Sequence, residues 1–277
     1  MNVLIRDDFD PRKIISSGQC FRAAEIEKDL FRFMTGKHVL YMRQISPVRW
    51  NLSCSAYAWR RIWKPYFDWD RNYREIRESV SPEDPFLQKC AAYGKGLRIL
   101  RQDPLETLIT FIISQRKSIP AIRSSLEKLC AAAGEEITTP YETLRLFPTE
   151  KALSALSLTE LRSCALGYRA PYIYKTAARL AANPSFLKTL NRASDKELID
   201  ALCTFPGVGI KVACCTALFG YGRTAASPVD VWIGRVIREK YGGTDPFPRY
   251  GNAAGIMQQY LFYWAQTTKM KESLPPS

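Results

Sequence analysis

Lys211 and Asp230, nineteen residues apart, are the side chains whose types and settings could do covalent chemistry. Lys211 stands two residues past Phe205-Pro206-Gly207-Val208-Gly209, in the first turn of an apolar segment (Val212, Ala213, Cys214, Cys215, Ala217, Leu218, Phe219). A helix N-terminus disfavours a cation. Apolar neighbours also favour the uncharged form. A neutral lysine is a nucleophile able to form a Schiff base; the plainer reading is a surface lysine facing phosphate. Pro228-Val229-Asp230 is a stiff approach to a helix start. An N-cap there is worth about 1 kcal/mol and leaves one carboxylate oxygen for a substrate. Gly207 and Gly209 permit a sharp turn. Their N–H groups, with Val208 between them, can then point at a phosphate. Such a grip is independent of base sequence; a simple turn between packed helices is the alternative.

Helices must hold these groups. The pattern predicts helices over 198–205 and 210–219, the second stopping at Gly220. A third follows over 231–241, capped by Asp230 and stopped by Gly242-Gly243, and a last over 253–267. Upstream, helices are expected over 104–114, 118–133 and 172–183. Ser157…Glu160 and Ser194…Glu197 read as capping boxes.

Residues 1 to about 80 read differently. Leu30 to Met34 alternates, Thr35-Gly36-Lys37 turns, and 39–45 and 50–54 are extended, giving an antiparallel meander. Helical spacing follows over 57–67 and 73–80, where Trp59, Trp63 and Phe67 form a packed face. Arg60, Arg61 and Lys64 are its solvated side. The expected fold class is α+β: a small N-terminal antiparallel β domain (1–82) before a mostly α-helical domain (83–268). The hairpin lies at about 196–219, and 269–277 is expected to be a flexible tail.

Composition narrows the partners. Lys and Arg number 40 against 27 Asp and Glu, a net charge of +13, which favours an acidic partner. No apolar run approaches a membrane span. The basic residues are spread out, so nucleic acid is preferred over a membrane surface. The charged opening (Arg6, Asp7, Asp8) argues against a signal peptide. Eight scattered cysteines with no C-x-x-C pair argue against a zinc or iron–sulfur site and read as cytosolic thiols. One histidine, His38, leaves little room for a His-based triad or a multi-His metal site. No cofactor or metal is called for.

The Leu202–Arg235 stretch resembles the helix-hairpin-helix DNA glycosylase superfamily. Four further stretches resemble 8-oxoguanine DNA glycosylases: Ser17-Gly18-Gln19-Cys20-Phe21-Arg22, Leu100-Arg101-Gln102-Asp103-Pro104, Leu166-Gly167-Tyr168-Arg169-Ala170 and Val208-Gly209-Ile210-Lys211-Val212-Ala213. They occur in the family's order over about residues 15–265.

The resemblance implies a glycosylase and abasic-site lyase, acting as a cytoplasmic, nucleoid-associated monomer on double-stranded DNA containing an oxidised purine. It implies that Lys211 attacks the sugar and that Asp230 stabilises the developing positive charge. Gly18 would offer its carbonyl to N7–H, a proton guanine lacks. Phe262 and Cys215 would sandwich the base, and Gln258 would read its pairing edge. Tyr168 would wedge the stack and Arg169 would hold the estranged base.

Departures are visible. Arg116-Lys117-Ser118, with Ala121, stands where the family often places an Asn cluster and an Arg to read cytosine opposite the lesion. Weaker discrimination for cytosine is therefore expected, with Arg116 a DNA contact. Trp232 replaces a His of the animal-type enzymes, leaving its phosphate or proton-relay contact, or core packing, open. Two rivals remain: an alkyl-purine glycosylase on the same fold, which lacks the hairpin lysine, and a non-catalytic DNA-binding hairpin.

Overall fold

The computed structural model describes residues 1–268, and the tail expectation for 269–277 lies outside them. The chain forms two compact units that are not consecutive in sequence. One contains Met1–Phe33, Leu40–Arg101 and the described residues from Gly222 on. The other contains Met34–Val39 and Gln102–Tyr221.

Among the described residues, five strands form one antiparallel sheet in the order β1-β5-β4-β3-β2. They are β1 (Asn2–Leu4), β2 (Ala24–Glu27), β3 (Leu30–Thr35), β4 (His38–Gln44) and β5 (Arg49–Leu52). The expected meander is β3 to β5; β1 and β2 are additions the pattern did not announce. Register pairs Val3 with Trp50, Glu25 with Phe31 and Met42 with Leu52. On β5 the alternation is clean, with Trp50 and Leu52 buried and Arg49 and Asn51 exposed. On β3 it is not: Leu30, Phe31, Phe33 and Met34 are all buried.

An aromatic cluster fills the first unit. Phe9, Phe31, Trp50, Trp59, Trp63, Tyr66, Phe67 and Trp69 meet at centroid separations of 5.0–6.4 Å, mostly edge to face, a favourable geometry. The expected packed face is present, since Trp59, Trp63 and Phe67 are buried. The helix carrying it is irregular, with a π-turn over Trp59–Trp63 between two short α segments. Beneath lies Arg98, 1% exposed. It donates to Asp8 O (2.8 Å), Asp68 O (2.9 Å) and Asp7 Oδ2 (2.6 Å) and lies 4.5 Å from the Tyr73 ring centroid. A buried charge persists when so completely bonded.

The longer helices are α1 (Pro85–Tyr93), α2 (Pro104–Ser114), α3 (Ile119–Ala133), α4 (Ala170–Ala182), α5 (Asp195–Cys203), α6 (Ile210–Tyr221), α7 (Val231–Tyr241) and α8 (Ala254–Thr267). Both expected capping boxes form. Gly242 ends α7 in the left-handed conformation, as expected of a C-terminal glycine.

Gly220 is a correction. It does not stop α6, which continues through Tyr221. A Cβ there would lie 3.3 Å from Pro104 Cα and from Thr107 Cβ on α2. The glycine therefore serves close helix contact rather than termination.

Candidate active site

In the second unit, α5 and α6 are joined by the tight turn through Gly207-Val208-Gly209. Gly207 has φ +73°, and a Cβ there would fall 2.3 Å from the Tyr172 ring. Val208 is buried and anchors the turn, while Gly209 and Ile210 are exposed. Ala213 N donates to Gly209 O (3.0 Å), so α6 begins there. First-turn amides of a helix have no intrahelical partner and suit an anion. Gln115 Nε2 donates to Gly207 O (3.0 Å) and Ile112 O (3.1 Å), tying the turn to the end of α2.

Lys211 lies in that first turn and is half-buried. Its Nζ sits 5.4 Å from the Phe111 ring centroid, with Phe111 stacked on Phe219. Cys215, one turn further along α6, is 3% exposed and shares the Lys211 face.

The same unit holds the residues expected at the flipped-base gap. Tyr168 is 51% exposed, with its ring 6.2 Å from that of Tyr172. Arg169 is buried instead of presented. Its guanidinium donates to Gln115 O and Leu166 O and lies 4.2 Å from the Tyr168 ring centroid. Arg116 is exposed, with φ +50°, a strained conformation for a side-chain-bearing residue. Lys117 donates to Ser125 Oγ and Ala165 O. Burial, then Arg169 and Lys128, hold its pKa below the usual lysine value.

The first unit holds the remaining expected residues. Asp230 caps α7, its Oδ1 accepting from Ile233 N at 2.8 Å. Val229, Val231 and Trp232 around it are exposed, which removes core packing as the reading of Trp232. Gly18 has φ +75°, and a Cβ there would lie 3.0 Å from Phe262 Cε1 and 3.7 Å from Gln266 Oε1. Gly18, Phe262 and Gln266 are thus neighbours. Gln258, on the same α8 face, is 3% exposed, and its Oε1 has no hydrogen-bond partner.

Sequence reasoning missed the residues that hold Gly18 in place. Gln259 Nε2 donates to Ser17 O (2.7 Å). Gln19 Nε2 donates to Arg98 O (2.9 Å) and its Oε1 accepts from Leu100 N (2.7 Å). Buried glutamines satisfied by backbone groups are positioning devices. Their signal in the sequence was the unusual pair Gln258-Gln259 in an apolar helix.

The second unit thus holds a glycine-rich turn with a lysine in the first turn of the helix after it, and the first unit holds a glycine–phenylalanine–glutamine cluster with unpaired amide oxygens. Comparison with known proteins is specific. Residues 3–108 match the 8-oxoguanine DNA glycosylase N-terminal domain, and 109–257 match the HhH-GPD superfamily of base excision DNA repair proteins. The chain is 30% identical over 276 residues to the Arabidopsis thaliana N-glycosylase/DNA lyase OGG1, spanning 94% of this chain and 76% of that relative. The solved structure of MBOgg1 with a low affinity DNA ligand superposes with TM-score 0.89 at 33% identity, covering 96% of this chain and 94% of that one. The Clostridium acetobutylicum 8-oxoguanine glycosylase/lyase, solved with dsDNA containing cytosine opposite to 8-oxoG, gives TM-score 0.87 at 29% identity over 99% of each chain. This chain belongs to the 8-oxoguanine DNA glycosylase family of the HhH-GPD superfamily. No helix among the described residues is long and apolar enough to cross a membrane.

Proposed function

We propose that this protein excises 8-oxoguanine from double-stranded DNA and then cuts the strand at the resulting site, acting as a cytoplasmic monomer. The relatives' N-glycosylase/DNA lyase activity supports this reading, and the observation that carries it is Lys211 in the first turn of α6, directly after the hairpin.

The chemistry follows from roles. The exposed turn and the +13 charge hold the phosphate backbone, with affinity that falls in salt. The lesion leaves the stack at a cost of a few kcal/mol. Gly18 offers its carbonyl to N7–H, Gln258 meets the pairing edge, and Phe262 and Cys215 cover the ring faces. Tyr168 fills the gap, Arg169 reaches the estranged base once its bond to Gln115 is released, and Arg116 and Trp232 add backbone contacts.

The Lys211 amine then attacks C1′. The glycosidic bond breaks with its electron pair on the base, which takes up a proton. Asp230 stabilises the sugar's positive charge. The C1′–O4′ bond of the sugar ring then opens, O4′ taking a proton as the amine gives one up and the imine forms, and the acidified C2′–H permits β-elimination of the 3′ phosphate.

Borohydride reduction of this imine is the test. It traps a covalent protein–DNA adduct with the wild type and none with Lys211→Gln; undiminished trapping by that variant rules out Lys211. Asp230→Asn keeps a capping oxygen, so loss of excision without loss of stability assigns Asp230 to chemistry.

A further inference from the structure

Gln266 is a polar residue that the proposed mechanism leaves unused. Gln258, Phe262 and Gln266 are spaced by four on α8, so they share one face. Residues eight apart stand about 12 Å apart along the axis, roughly a purine with a hydrogen bond at each end. Both end residues carry the same anomaly: Gln258 Oε1 and Gln266 Oε1 are buried without a hydrogen-bond partner. A buried acceptor left unpaired carries a desolvation penalty that native proteins rarely tolerate without a use for the group. Gln266 Oε1 also lies 3.7 Å from where a Cβ on Gly18 would stand, beside Phe262. It therefore belongs to the Gly18 end of the face, away from the Gln258 end.

We propose that Gln266 Oε1 is a second acceptor, beside the Gly18 carbonyl, for the N7–H of the flipped 8-oxopurine, and that it determines specificity against guanine. This rests on the reading that the chain excises 8-oxoguanine. The N7–H donor satisfies the orphan oxygen. Guanine presents a lone pair at N7, so it meets two acceptors and is repelled by both. Gln266 becomes a specificity residue that acts before the chemical step.

The test separates recognition from chemistry by using two substrates. Cutting at a preformed abasic site needs Lys211 but no base contact. With Gln266→Leu, base release from an 8-oxoguanine duplex falls on the order of tenfold, while abasic-site cutting is unchanged. Gln266→Glu, which keeps an acceptor oxygen, recovers most of the loss. Equal base release by the wild type and Gln266→Leu overturns the proposal. So does an equal loss in the Leu and Glu variants, or a fall in abasic-site cutting in step with base release, which assigns Gln266 to packing. A wild type that cuts abasic sites but releases no 8-oxoguanine defeats the activity reading itself and takes this proposal with it.

Discussion

The start of α6 and the Gln258–Phe262–Gln266 face of α8 solve opposite problems. The α6 region offers an exposed turn, free first-turn geometry and one amine, groups suited to any DNA backbone and any sugar. The α8 region is half-buried and polar in a few places only: Gly18 locked between Ser17 and Gln19, Gln258 and Gln266 with orphan oxygens, and Phe262 between them. In the proposed function the first acts on a substrate without recognising its base, and the second recognises a base without acting on it. A glycosylase with lyase activity needs both, and variants should separate them.

Lys211→Gln has the largest expected effect: base release and abasic-site cutting both fall about a thousandfold or more, as for loss of a covalent nucleophile. Single-turnover rates on the two substrates check it. Gly18→Ala sharpens the contrast. A methyl group there lies 3.0 Å from Phe262 on a backbone at φ +75°, on the face proposed to recognise the base. Base release should fall roughly a hundredfold, with abasic-site cutting retained. Equal loss of both would dissolve the distinction.

Within the hairpin the two glycines should behave differently. Gly207→Ala forces a Cβ into the Tyr172 ring at positive φ and destabilises the protein by about 1–3 kcal/mol. Gly209→Ala meets nothing within 4 Å and should change stability by no more than about 1 kcal/mol. Urea unfolding compares them. A smaller effect concerns the base opposite the lesion. With Ala121 and the Arg116-Lys117-Ser118 run, excision rates opposite the four bases should lie closer together than in a cytosine-selective enzyme; a strong cytosine-only preference would refute it.

The weakest expected effect tests the first unit's surface. Arg12 bonds Glu25 and Asp29, each at 2.7 Å. The Arg12 guanidinium and the Asp29 amide hold the Glu25 carboxyl below its ordinary value. The folded-state value is thus depressed, so this contribution is present above the unfolded value and lost as pH falls through the folded one. The pair is partly exposed, so Arg12→Met should reduce stability at neutral pH by only a few tenths of a kcal/mol, about the usual size for such pairs. The difference should vanish in acid.

Much of the helical architecture was legible because its signals are local. Asp230 before Val231, Ser194 with Glu197 and the Gly242 stop each act within one turn, and each forms as read. Strands β1 and β2 were not legible, since β1 has only three residues and β2 (Ala-Glu-Ile-Glu) buries no large side chain that would mark an apolar face. Gly220 was misread because a helix stop and a close helix contact both require the smallest residue. Arg169 was expected to reach outward, but a nearby carbonyl on Gln115 holds it inward.

The sequence by itself determined the family, the hairpin and the residues proposed to react, because those depend on residue type and short spacing. Only the tertiary structure decided that the segment after Gly222 rejoins the first unit, that Gln19 and Gln259 lock the Gly18 backbone, and that Gln266 stands with an unpaired oxygen beside it. Those outcomes turn on which distant side chains compete for the same buried space and hydrogen bonds, and no local window of the chain contains both competitors.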